Sequence, residues 1–162
     1  MLRKLSTAML LTAASALAGC GHESAPGPQA SIAPGFGFFY LDEGSNAKLA
    51  YGEANSDNVG LMLQCAKGSR QVEVSDVVRS SSAPTLLLIS AGRRTELAAK
   101  VEAGEGAAVV TAHASSAAPA LAAFRQSGKV EVSYAGLRYG VAAKPAERAT
   151  VERFFSACDR RA

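Results

Sequence analysis

The feature that most constrains this chain is the recurrence of apolar side chains at every second position. Val59, Leu61, Leu63 and Cys65 form one such set, and Val72 and Val74 alternate with Gln71 and Glu73. Leu97, Ala99 and Val101 alternate with Glu96, Ala98 and Lys100, and Val130, Val132 and Tyr134 are answered by Leu137, Tyr139 and Val141 across Ala135-Gly136. A period of two buries one face of a strand and leaves the other in water. Several such strands joined by short turns predict antiparallel pairing.

The remaining segments fit the same frame. Phe36 to Asp42 is aromatic-rich between Gly35 and Gly44, which favours a strand, and Ala47 to Glu53 alternates loosely before the turn cluster Asn55-Ser56-Asp57-Asn58. Ala66 to Ser69 is a turn, and the strands from Phe36 to Val74 together read as an antiparallel meander. Thr85-Leu86-Leu87-Leu88-Ile89 is continuously apolar, which predicts cover on both faces. Ala107 to Ala112 reads as a strand because Val109, Val110 and Thr111 are β-branched. Proline at its start and Gly128 at its end make Pro119 to Gln126 one or two helical turns. Pro145 opens a helix over Ala146 to Cys158, with Val151, Phe154, Phe155 and Cys158 at i, i+3, i+4 and i+7 facing inward. The expected fold is mainly β, of the α+β class: an antiparallel sandwich or open barrel with a C-terminal helix packed on the sheet. Residues 35–162 have the size of a single domain with one core, and no internal repeat or second linker divides them.

Upstream, Arg3 and Lys4 precede an apolar run from Leu5 to Leu17 that is too short to span a bilayer. It ends in Leu17-Ala18-Gly19-Cys20, which resembles the lipobox of bacterial lipoproteins. The resemblance implies that residues 1–19 are a signal peptide, that cleavage falls between Gly19 and Cys20, and that the Cys20 thiol carries a diacylglyceryl group. The plainer alternative is a secretory signal with Cys20 as an ordinary residue. Several acyl chains on one residue hold a protein on a membrane where one chain does not. In Gram-negative lipoproteins an Asp after the cysteine commonly marks inner-membrane retention, so Gly21 implies the outer membrane. Residues 20–34 are then the lipidated cysteine and a tether rich in Gly, Pro, Ser and Ala, which reaches roughly 45 Å when fully extended. His22 falls inside it and reads as a solvated linker residue.

The chain has 17 basic and 14 acidic residues, and removing residues 1–19 takes Arg3 and Lys4 and no acid, leaving 15 against 14. A net charge near +1 with no clustered basic face gives no case for nucleic-acid binding. If Cys20 is lipidated, Cys65 and Cys158 remain. In an exported protein a disulfide is their simplest fate; two buried free thiols, or a metal pair short of partners, are the alternatives. The strand period and the helix period each turn one of these cysteines inward. Closing such a loop stabilises by about 4 kcal/mol in the chain-entropy model.

Catalytic patterns are weak. Ser45-Asn46-Ala47-Lys48 and Ser56-Asp57-Asn58 resemble two signatures of penicillin-binding proteins and class A β-lactamases, but they lie too close together, no K-T-G follows, and the domain is about half the size required. His113 is the one histidine of the domain, without a G-x-S-x-G partner motif. Asp42, Glu43, Glu53 and Asp57 could cluster at one sheet end but read as turn charges. Gly35-Phe36-Gly37 lacks the third glycine of a nucleotide loop, and no metal-ligand spacing is present. The hairpin-helix-Cys ending is similar to that of small periplasmic domains such as invasion-associated-locus-B-like proteins, over about 40 residues, and implies no function. Gly136-Leu137-Arg138-Tyr139 resembles the G-x-x-Y part of the S-G-x-x-Y loop in membrane-anchored inhibitors of c-type lysozyme, with Ala135 in place of the serine. That resemblance makes Gly136, Arg138 and Tyr139 binding candidates; the plainer reading is a hairpin glycine and a core tyrosine. The expectation is therefore a non-enzymatic protein without cofactor, lipid-anchored at the periplasmic face of the outer membrane, binding an envelope protein or glycan or serving structurally. Lysozyme inhibition is the alternative, and a hydrolase a remote one.

Overall fold

The computed structural model describes residues 33–78, 84–104 and 107–160. Nine strands run in chain order: β1 (Phe36–Glu43), β2 (Asn46–Glu53), β3 (Val59–Ala66), β4 (Gln71–Val78), β5 (Thr85–Ser90), β6 (Arg93–Ala103), β7 (Ala108–Ser115), β8 (Lys129–Tyr134) and β9 (Leu137–Ala142). Helix α1 (Pro119–Ser127) lies between β7 and β8, and a 3-10 turn, Pro145–Glu147, leads into α2 (Arg148–Asp159). All pairings are antiparallel, and the strands form one sheet in the order β1-β2-β3-β4-β7-β6-β5-β8-β9, curled into a half-barrel. The sheet is therefore an open barrel rather than two stacked sheets. Right-handed strand twist accumulating over nine strands drives the curl.

The period-two residues line the concave side. Leu61, Leu63 and Cys65 on β3, Val72 and Val74 on β4, Val110 and Ala112 on β7 and Val130, Val132 and Tyr134 on β8 are all buried. Two helices fill the curl. Helix α1 puts Ala120, Leu121 and Phe124 into the core, and α2 adds Val151, Phe154, Phe155 and Cys158. The Phe124 ring meets Phe38 of β1 at 5.5 Å and Phe155 of α2 at 5.9 Å between centroids, so one aromatic chain joins an edge strand to both helices. Helix α1 ends at Gly128, whose φ of 66° is the left-handed cap conformation and whose N–H returns to the Phe124 carbonyl at 2.7 Å.

Cys65 and Cys158 form the disulfide, joining β3 to α2 across 93 residues. The turn between β3 and β4 completes the junction, because Gly68 N–H and Arg70 N–H bond the Ala157 and Cys158 carbonyls at 3.0 Å each. These two bonds satisfy C-terminal helix carbonyls that have no intrahelical partner.

Some local expectations change. The apolar run on β5 is covered fully on one face only: Leu86 and Leu88 are buried, whereas Leu87 and Ile89 are half-buried on the convex side. Their cross-strand neighbours there are Glu96 and Ser133 beside Leu87 and Arg94 and Glu131 beside Ile89. Leu137 shares a face of β9 with Tyr139 and Val141, opposite Tyr134, yet it is exposed, because β9 is a sheet edge and its first residue has a neighbour on one side only. Helix α1 has nine residues, two and a half turns rather than one or two. The C-terminal helix begins as a 3-10 turn, so its α-helical part starts at Arg148 rather than Ala146.

Candidate functional site

Gly19 and Cys20 lie outside the described residues, as do His22 and most of the expected tether. The hairpin candidates can be placed. Ala135 and Gly136, with φ of 47° and 81°, form the two-residue β8–β9 turn, a geometry in which both central residues need positive φ. Arg138 and Tyr139 are consecutive on β9 and therefore project to opposite faces. Arg138 lies on the convex side, where its Nη2 donates to Glu131 Oε2 at 2.6 Å. Tyr139 turns into the half-barrel.

There its hydroxyl donates to Asp76 Oδ2 at 2.7 Å and sits 3.2 Å from the Gly60 carbonyl oxygen. Asp76 is only 7% exposed, with its side chain directed to the concave face like Val72, Val74 and Val78 along β4. Burial raises the Asp76 carboxyl from 3.8 to about 6, against the opposing effects of the Tyr139 hydroxyl and the Val77 N–H that favour its charged form. Burial and the neighbouring carboxylate push the Tyr139 phenol far up, so it remains a donor at neutral pH. The group binds three strands, β3, β4 and β9, through one hydroxyl. When Asp76 takes up a proton, it becomes a donor to Tyr139, whose own hydrogen then serves Gly60. The arrangement exchanges a proton near pH 6 without leaving a polar atom unpaired.

Asp76 was not singled out by motif, yet its signal is in the sequence. It continues the every-second-position series Val72, Val74, Asp76, Val78, and a carboxylate in an inward series must be partnered or protonated. A strand expected to end at Val74 leaves it out, whereas β4 runs on to Val78.

On the convex face, cross-strand partners Lys48, Gln64, Glu73 and His113 form a polar row over β2, β3, β4 and β7. Gln64 Nε2 donates to Glu73 Oε1 at 2.6 Å, and His113 Nε2 stands 3.5 Å from Glu73 Oε2. These residues, with Asn46 and Gln71, line an open groove of about 380 Å³. His113 is well exposed and faces a carboxylate; Ser69 lines the same groove, but its hydroxyl is bonded to the Gln71 backbone. The Ser45 and Ser56 motifs lie in the turns at opposite ends of β2, so they do not form one site. The acidic residues separate likewise. Asp42 pairs with Lys67 at 2.5 Å and Glu43 with Lys48 at 2.9 Å at one end, while Glu53 and Asp57 lie at the other. Lys67 holds the Asp42 carboxyl below its ordinary value.

A second cavity, about 590 Å³, opens where α1 and α2 meet the β3–β4 turn and is lined by Arg70, Ser116, Arg125, Glu152 and Asp159 among others. Arg125 donates to both Glu152 oxygens and to Asp159 Oδ2 at 2.7 Å, and Ser116 Oγ donates to Asp159 Oδ1 at 2.6 Å. These groups satisfy one another, and the network fastens α1 to α2. Among the described residues no three His, Cys, Asp or Glu side chains are grouped to hold a metal ion, and no helix is long and apolar enough to cross a membrane.

Comparison with protein-family models, with curated proteins and with solved structures gives no match to this chain.

Proposed function

We propose that this protein is a lipid-anchored component of the bacterial cell envelope, held by Cys20 at the periplasmic face of the outer membrane, whose half-barrel acts by binding or as a structural element rather than by catalysis. The observation that carries the reading is Leu17-Ala18-Gly19-Cys20 at the end of a short apolar run behind Arg3 and Lys4. The Cys65–Cys158 disulfide supports it, since such bonds persist in oxidising, exported compartments. The partner is an envelope protein or glycan. Inhibition of c-type lysozyme is the alternative, and it would have to use the exposed hairpin tip at Gly136, Leu137 and Arg138, because the Tyr139 hydroxyl is spent inside the fold.

The test is the intact mass of the chain extracted from membranes, beside a Cys20→Ala variant, with and without reduction before alkylation. A lipidated N-terminus at Cys20 and two thiols that alkylate only after reduction are expected. A soluble, unlipidated product would refute the anchor. Enrichment of a lysozyme on the immobilised domain would favour the alternative.

A further inference from the structure

Strand β1 is a sheet edge of eight residues, FGFFYLDE, with no proline, no lysine and no bulge against β2; its two charges, Asp42 and Glu43, stand at its C-terminal end and leave the stretch from Phe36 to Leu41 uncharged. In an antiparallel strand the N–H and C=O of one residue point the same way, and the direction alternates along the chain. Phe36 gives its N–H to the Ala33 carbonyl at 3.1 Å and receives Lys144 Nζ on its own carbonyl at 2.7 Å, so its backbone groups point away from β2. Phe38 and Tyr40 therefore direct theirs the same way. Neither finds a backbone or side-chain partner for them among the described residues.

Beside that edge lies a groove of about 370 Å³ formed by Phe38, Phe39 and Tyr40 on the strand and Ala149, Thr150 and Arg153 on α2. Its two sides differ chemically. Toward α2 stands Arg153, whose guanidinium lies 4.4 Å over the Tyr40 ring and has no carboxylate partner among the described residues; the nearby Asp42 is already bonded to Lys67. On the convex side Phe39 and Leu41 are 40% and 43% exposed, two large apolar groups at successive outward positions of the edge strand.

We propose that the edge of β1 and the facing side of α2 form a docking site for an extended peptide segment of another protein, added to β1 as a further strand with acidic side chains toward Arg153 and apolar ones against Phe39 and Leu41. Main-chain bonds from Phe38 and Tyr40 supply the strand pairing, and the alternating side chains supply the selectivity. A segment with acidic and apolar residues at alternate positions meets both faces at once. The charge on Arg153 disfavours a basic one. The site gives the binding role a partner class, and it rests on that role but not on the anchor: the peptide experiment reads the domain, the mass measurement reads Cys20, and either can fail alone.

The probe is an acetylated, amidated octapeptide of alternating valine and glutamate, titrated into the full chain labelled with 15N, with a valine–lysine octapeptide as comparison. Saturable shifts at β1 and α2 amides, slowed exchange of the Phe38 and Tyr40 amides, and preference for the glutamate peptide are expected. Arg153 is exposed, so Arg153→Glu should leave the far-UV circular dichroism unchanged, weaken the glutamate peptide about tenfold and favour the lysine peptide. Phe39→Glu, which replaces the apolar contact with a like charge, should abolish binding of the glutamate peptide. Equal binding of the two peptides, no binding of either, or shifts confined to another surface would overturn the proposal. So would Phe38 and Tyr40 amides already protected in the free chain, or a dimer that Phe39→Glu dissociates, because the edge would then be filled by this chain itself.

Discussion

Replacing Asp76 by Asn should stabilise the protein at neutral pH, although it removes one acceptor of a buried hydrogen-bonded pair. Burial lifts the Asp76 carboxyl from 3.8 to about 6. Between those values the folded chain holds a proton that the unfolded chain has lost, so stability must fall as pH rises through this window. At about 1.4 kcal/mol for each pH unit between the two values, the charged carboxylate costs about 3 kcal/mol once the pH is well above 6. Asn carries no charge to desolvate and keeps a complete network: its amide can donate to the Tyr139 oxygen while the Tyr139 hydrogen turns to the Gly60 carbonyl, 3.2 Å away. The expected gain for Asp76→Asn is about 2 to 3 kcal/mol at pH 7.5, shrinking toward zero at pH 4. The chain has no tryptophan, so urea unfolding would be followed by far-UV circular dichroism at half-unit steps from pH 4 to 7.5. The difference between the two proteins is the informative quantity. Asp42 and Glu152, held low by Lys67 and Arg125, stabilise the fold above their unfolded values and lose that contribution as pH falls, in both proteins alike. A variant less stable than wild type at pH 7.5, or a difference that does not change with pH, would refute the reasoning.

Tyr139→Phe should act in the opposite direction, lowering stability at pH 7.5 by about 1.5 to 3 kcal/mol as the buried carboxylate loses its hydroxyl donor, with a steeper loss between pH 5 and 7 in the same unfolding series. Reducing the Cys65–Cys158 bond, or replacing Cys158 by Ser, should cost about 4 to 5 kcal/mol for a loop of this length, read as a lower urea midpoint; an unchanged midpoint would exclude the staple. Phe124→Ala removes a fully buried ring that touches Phe38 and Phe155 and should cost about 3 to 5 kcal/mol, with a lowered thermal midpoint.

Much of the architecture is legible in the sequence because it rests on short-range periodicity. Alternation at Val59 to Cys65 and Val130 to Tyr134 decides which face of a strand is buried, and the i, i+3, i+4, i+7 stripe of Val151, Phe154, Phe155 and Cys158 does the same for a helix. These local periods turn both cysteines inward, which makes their pairing the simplest fate, and Cys65 and Cys158 are joined. The Ala135-Gly136 turn was equally local, since two residues between alternating runs leave room for little else.

What the sequence could not decide is what lies opposite. Whether a continuous apolar run such as that on β5 is covered on both faces depends on the neighbours the sheet supplies, and the curl leaves Leu87 and Ile89 on the convex side. Arg138 and Tyr139 look like one motif in the chain, but the strand sends one outward and one inward, and only the closing of the half-barrel brings the Tyr139 hydroxyl from β9 to Asp76 on β4 and Gly60 on β3. The sheet order decided as well that β1 is an edge and that Arg153 stands beside it. Periodicity is a property of neighbours along the chain and determines which side of each element is apolar; partnership is a property of residues tens of positions apart, and it exists only once the elements have packed.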